Sequence, residues 1–283
     1  MTGAGPGVTA AVLLAAVLHA TWNAVVKQVD DRLAGFVLLD LTGVALCLLA
    51  VPLLPGPAPA SRAFLALSVV LHLGYKLFLM GAYRAGDLSQ VYPLARGSAP
   101  LLVAGFAGLV LGERLGPAQL TGVLVVSVGL VLLAGVGGAA SGPPAATWLA
   151  LATGVFIAAY TVADGVGVRR SGGALGYIAW LFLAEGLPLP LYAATVGRRH
   201  LKAALRVNLP AGLAAGVLSL AAYGLVIWAQ TRGALAVVAA LRETSVIVAA
   251  LIGSAGFGER FGYRRTVAAA VVTAGIVLLN TSR

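Results

Sequence analysis

Long apolar runs alternate with short polar connections along the whole chain. Ten such runs occupy roughly residues 8–28, 33–54, 61–84, 88–111, 116–136, 147–168, 173–196, 208–230, 234–256 and 262–281. A helix needs about 20 apolar residues, at about 1.5 Å each, to cross a hydrocarbon core of about 30 Å. Each run meets that length. The runs are continuously apolar and rich in Leu, Ala and Val, without the alternation a barrel strand requires, so they predict helices. Short connections make neighbouring helices antiparallel and leave no room for a soluble domain. The expected fold is an all-α integral membrane protein with ten transmembrane helices.

The pattern repeats. Arg96 lies in a run that ends at Gly112-Glu113-Arg114, and Arg242, 146 positions later, lies in a run that ends at Gly258-Glu259-Arg260. The same offset carries Gly129 onto Gly275 and Val131-Leu132-Leu133 onto Val277-Leu278-Leu279. Small residues and prolines, Gly137 to Pro144, divide the two copies. The expected organisation is a first repeat over 1–136, a linker over 137–146 and a second repeat over 147–283. Five spans per half is an odd number, so the second half enters the membrane the opposite way round. A five-plus-five inverted repeat predicts a binding site near mid-membrane, between the halves.

Composition agrees and excludes alternatives. The 283 residues are 60% hydrophobic and only 10% charged, with a mean hydropathy of +0.98. No soluble domain carries so little polar surface, so the bilayer is a partner. The net charge of +10 sits mostly in the connections, where basic residues orient spans and meet lipid headgroups. No nucleic-acid motif accompanies it, and nucleic acid is not an expected partner. Six Lys or Arg fall in loops on the side of the termini and ten on the opposite side, a count that favours termini outside. Cys47 stands alone in an apolar run and reads as a packing residue. Residues 1–7 lack Lys and Arg, which argues against a cleaved signal peptide.

Several segments carry a resemblance. They are Leu18 to Ala24 with Lys27, Tyr83 to Ser89, Val91 to Gly97, and Ala159 to Gly165, together with the Gly-Glu turns closing the fourth and ninth runs. The chain resembles the EamA family of the drug/metabolite transporter superfamily over nearly its whole length. The resemblance implies secondary transport, often export, of amino acids or other small metabolites across the inner (plasma) membrane. It also implies termini that share the cytoplasmic side, opposite to the charge count.

Ionisable groups inside a bilayer cost about 2.5–3.5 kcal/mol each on insertion scales, so each needs a partner or a wet cavity. Asp40, Lys76, Arg96, Asp164, Glu185, Arg242 and Glu243 are in that position. Helical spacing groups the polar residues into stripes: His19, Trp22, Asn23 and Lys27; His72, Lys76 and Tyr83; Tyr92 and Arg96; Tyr160 and Asp164; Ser219, Tyr223 and Gln230. Stripes on apolar spans converge on a lumen. The expected substrate-binding residues are His19, Trp22, Asn23, His72, Lys76, Tyr92, Arg96, Tyr160, Asp164, Tyr223 and Arg242. Glu185 and Glu243 are the candidates for a protonatable coupling group. The plainer alternatives are interfacial anchoring for Trp22, Tyr83 and Lys27, and packing for His19 and His72. Pro93 and Pro100 predict freed carbonyls in the fourth span, a feature its copy replaces with Arg242-Glu243-Thr244-Ser245. Glu113 and Glu259 read as hairpin devices. Gly122 with Gly129, and Ala268 with Gly275, read as close helix packing.

The sequence therefore predicts an alternating-access carrier for a small polar or amphoteric solute with an anionic group; the resemblance implies export, with an uptake carrier of the same fold or a solute channel as the alternatives. A channel would favour symmetric polar rings, which are absent. An enzyme would need a metal cluster, a nucleophile elbow or a Walker loop, and none is present. No cofactor or metal is called for, and a homodimer is allowed.

Overall fold

The computed structural model describes residues 5–86, 88–135, 143–196, 201–257 and 263–281. Among them are thirteen α-helices and no strand. In chain order these are α1 (Pro6–Lys27), α2 (Arg32–Ala50), α3 (Pro59–Ala85), α4 (Leu88–Leu111), α5 (Pro117–Gly135), α6 (Pro144–Arg169) and α7 (Ala174–Glu185). There follow α8 (Pro188–Val196), α9 (Leu201–Val207), α10 (Leu209–Gln230), α11 (Leu235–Arg242), α12 (Thr244–Phe257) and α13 (Tyr263–Thr281). Linker residues 137–142 and the turn at Gly258, Glu259 and Arg260 lie outside the described residues.

Local sequence explains the starts and stops. Pro6, Pro59, Pro117 and Pro144 open their helices, where a missing N–H costs nothing. Asp31 caps α2 by accepting from the Leu33 and Ala34 amides at 3.0 and 3.2 Å. Gly112 takes the left-handed conformation (φ +64°), and the Glu113 amide reaches back to the Ala107 carbonyl at 3.2 Å, closing α4.

Among the described residues, seven stretches are long and apolar enough to cross a membrane: Pro6–Lys27, Leu33–Leu53, Pro59–Ala85, Val91–Leu111, Pro144–Arg169, Ala174–Thr195 and Leu209–Gln230. Shorter apolar helices cover Pro117–Leu133 and Thr266–Asn280. Leu49 and Leu109 stand 74% and 86% exposed on the outer surface, an arrangement that only lipid tolerates. The chain is an all-α membrane protein.

The structure departs from unbroken helices in two places. The run over 173–196 breaks between α7 and α8, after Glu185. Pro188 and Pro190 cannot donate to the carbonyls four residues earlier, and α7 ends there. The run over 234–256 breaks at Glu243, whose amide bonds Ala240 at 3.2 Å while its carbonyl receives the Val246 amide at 3.0 Å. These i to i+3 bonds tighten the turn. By contrast α4 continues through Pro93 and Pro100. A short helix, α9, also occupies the connection before α10.

The packing is built around pairs: α3 on α6, α1 on α10, α5 on α13, and α4 on both α5 and α6. Where α5 meets α13, a Cβ on Gly129 would lie 2.8 Å from Val272, and one on Gly275 would lie 2.9 Å from the Val126 amide nitrogen. Only glycine permits that approach.

One end is tied together by Arg169, at the close of α6. It donates to the Gln230 and Gly233 carbonyls, both at 2.8 Å, and to Glu113 at 2.7 Å. The second Glu113 oxygen accepts the Leu235 amide at 2.9 Å, at the start of α11. Glu113 is thus more than a hairpin device: it joins the α4–α5 turn to the ends of α6 and α10 and the start of α11.

Candidate substrate site

The tightened turn at Glu243 presents its carboxylate to α4. Arg96 Nε donates to Glu243 Oε2 at 2.9 Å, and a terminal guanidinium nitrogen reaches Ser245 Oγ at 3.3 Å. Both partners are buried, 5% and 3% exposed. The pair joins elements 147 positions apart, one on each side of the sequence repeat. Tyr92, one helical turn before Arg96, places its ring 5.9 Å from the guanidinium carbon.

Arg242 precedes Glu243 and points elsewhere. Its guanidinium lies 5.2 Å from the centre of the Tyr223 ring, and Tyr160 sits in its field. It is half-buried, and among the described residues no carboxylate lies within 4.0 Å of it. His19 sits in the field of both Arg242 and Arg96. The His19 and Trp22 rings meet edge-on at 5.1 Å, and Asn23 donates to the His19 carbonyl at 2.7 Å. The Trp22 indole nitrogen is buried and has no acceptor among the described residues.

Behind Tyr160 and Tyr223 lies a second polar group. Asp164 is wholly buried and accepts from the Tyr177 hydroxyl at 3.1 Å and the Tyr223 hydroxyl at 2.6 Å. Each oxygen has its own donor, so Asp164 is already engaged with the protein. His72 stacks on Tyr160 at 4.0 Å, with its Nδ1 within 3.0 Å of the Ser68 carbonyl and its Nε2 3.3 Å from Glu185 Oε2. Lys76 reaches Asp40 at 3.4 Å.

The predicted residues therefore fall into linked clusters and not one ring. Arg96, Tyr92 and Glu243 join segments from the two copies of the sequence repeat; Arg242 lies beside Tyr223 with Tyr160 and His19 in its field, Trp22 and Asn23 contact His19, and no acid pairs with Arg242 among the described residues; His72, Glu185 and Asp164 form a neighbouring group; Lys76 pairs off with Asp40. Sequence reasoning missed Ser68, Ser245 and Tyr177. Ser68 stands four residues before His72 and could have been found by helical spacing, whereas nothing local points from Asp164 to Tyr177. A cavity of about 620 Å³ opens away from this chemistry, between α1, α2, α7 and α10, with walls that include Leu14, Leu18, Leu46 and Trp228. Its lining holds no charged side chain and suits acyl chains.

A model of the EamA-like transporter family matches residues 145–281. That match spans just under half of the chain, and the family lies within the drug/metabolite transporter superfamily. With the apolar spans, the match marks a multi-pass membrane protein of transporter type, and the matched family is one of transporters. A search of curated proteins found no match. Among solved structures, a chain titled only "Crystal structure of protein" aligns with a TM-score of 0.74 at 20% identity, over 98% of each chain. At that identity the likeness is one of fold alone.

Proposed function

We propose that this EamA-like protein is a secondary-active carrier that moves a small polar or amphoteric, amino-acid-like solute bearing an anionic group, by alternating access. The observation that carries the reading is Arg242. A guanidinium held at membrane depth is costly. The other two intramembrane cations, Arg96 and Lys76, each have a carboxylate, and Arg242 has none among the described residues. A carboxylate or phosphate on the solute supplies the missing charge, in the forked geometry a guanidinium suits. The unpartnered Trp22 indole offers a second donor on the same side as His19.

The packing supports a five-plus-five arrangement, with repeats over 1–136 and 147–283 joined by 137–146. The contact of α3 with α6 has its counterpart in α10 with α1, and that of α4 with α6 in α11 and α12 with α1. Shifting by 146 residues also exchanges the Gly129–Val272 contact with the Gly275–Val126 contact. In this arrangement α7 with α8, and α11 with α12, each make one interrupted span, both termini share a side of the plasma membrane, and Arg242 lies between the halves.

A thermal-shift screen of detergent-purified protein against amino acids and small organic and phosphorylated acids tests the reading, because a bound solute raises apparent stability. At least one anionic compound is expected to stabilise the wild type and to lose that effect in Arg242→Ala. Stabilisation by the same compound in Arg242→Ala would remove Arg242 from the site.

A further inference from the structure

We propose that His72 and Glu185 form a proton-binding site, separate from the anion site at Arg242, whose occupancy couples transport to the proton gradient. The inference rests on the carrier reading for its purpose but on different residues for its evidence.

Each of the other intramembrane acids has a fixed partner. Asp40 has Lys76, Glu243 has Arg96, and Asp164 has two tyrosine hydroxyls. Among the described residues, the one basic group within 4.0 Å of Glu185 is an imidazole that can be neutral, at 3.3 Å, and Glu185 Oε2 receives no hydrogen bond. His72 is held for this contact from both sides. Ser68 engages Nδ1, Tyr160 stacks on the ring, and Nε2 is left for Glu185. One proton fits between Nε2 and the carboxylate as either an imidazolium–carboxylate or an imidazole–carboxylic acid.

Charge counting gives the same answer. Asp40, Asp164, Glu185 and Glu243 oppose Lys76, Arg96 and Arg242, leaving one net negative charge when all are ionised. A single proton on the pair makes the buried set neutral, as passage through a low dielectric favours. Glu185 also ends α7 where the helix is interrupted, and interrupted helices are where transporters hold coupling ions.

The surroundings are crowded with titratable groups. Asp164 and Tyr160 face the pair from α6, Tyr177 from α7, Tyr223 from α10, and Asp40 and Cys47 from α2. Lys76 on α3 and Arg242 on α11 are the nearby cations, while Tyr92 and Arg96 of α4 act through Tyr75 and Tyr160. Of these cations Arg242 is the one without a carboxylate among the described residues. An anion bound there cancels part of the positive field on Glu185, so solute and proton bind cooperatively and travel together. Under an inward proton gradient that linkage favours uptake, in contrast to the export that the family resemblance implies.

The test needs no solute. Proteoliposomes on a solid-supported electrode are stepped through a series of pH jumps, with protein-free liposomes as baseline. Wild-type protein is expected to give a transient charge displacement that saturates with pH. Glu185→Gln is expected to lose it, and His72→Gln to move its midpoint by about one pH unit or more. Gly56→Ala, in open space away from both sites, is expected to keep it. A wild type without the transient, or an undiminished transient in Glu185→Gln, overturns the proposal. If Glu185→Gln does not reconstitute, an unmoved midpoint in His72→Gln overturns it equally. A persistent transient beside a solute screen with no Arg242-dependent hit would sink the anion site and leave the proton site standing.

Discussion

The buried tie between the halves can be measured as a coupling energy. Arg96 Nε and Glu243 Oε2 are 2.9 Å apart and both side chains are nearly inaccessible. The charge centres then lie about 4 Å apart, worth about 4 kcal/mol at an effective dielectric near 20. Substituting one partner does more than delete this attraction, because it strands the other charge in an apolar surround. Arg96→Met and Glu243→Leu are each expected to cost about 3–5 kcal/mol. Replacing both removes the stranded charge, so the double variant is expected to be more stable than either single one, with a coupling energy of about 3 kcal/mol or more. The assay is reversible unfolding in mixed detergent and dodecyl sulfate micelles, followed by near-ultraviolet circular dichroism. Single costs below about 1 kcal/mol, or single costs that simply add in the double variant, would refute the reasoning. The double variant should also keep solute-induced stabilisation, since the solute is assigned to Arg242 and not to Arg96.

Three further outcomes follow from the packing. Glu113→Gln weakens its charged bonds to Arg169 and to the Leu235 amide and should lower stability by about 1.5–3 kcal/mol, with solute-induced stabilisation unchanged. Tyr223→Phe leaves Asp164 with Tyr177 as its remaining tyrosine donor and should cost about 1–3 kcal/mol in the same unfolding assay, while Asp164→Asn in that background should cost little more. Gly129→Leu forces α5 away from Val272 of α13 and should abolish monodisperse yield by size-exclusion chromatography, whereas Gly56→Ala, with open space around it, should behave as wild type.

Helix positions were legible because lipid leaves the backbone little choice: an apolar stretch of span length must satisfy its amides internally. The interruptions were not legible in the same way. Pro93 and Pro100 predict freed carbonyls, yet α4 continues through both, and the breaks fall at Glu185 and Glu243. At Glu185 the signal existed in Pro188 and Pro190. At Glu243 nothing in the local sequence demands the tightened turn, and its carboxylate lies against an arginine 147 positions away. The site shows the same division. Helical spacing correctly grouped His19 with Trp22 and Tyr92 with Arg96, since those pairs share a helix face. It could not show which cation each acid meets: Glu243 adjoins Arg242 in sequence, and the structure pairs it with Arg96. That exchange of partners carries the functional argument. Because Glu243 neutralises Arg96 across the halves, Arg242 is left with aromatic rings and no acid among the described residues. Residues that repeat between the copies, such as Gly129 and Gly275, build close contacts; the acids at the interruptions, Glu185 and Glu243, have no acid 146 positions earlier, where Leu39 and Gly97 stand. A repeat can supply a scaffold twice, but a carrier for one polar solute needs its charges placed unequally, and the second copy holds the acids at its interruptions.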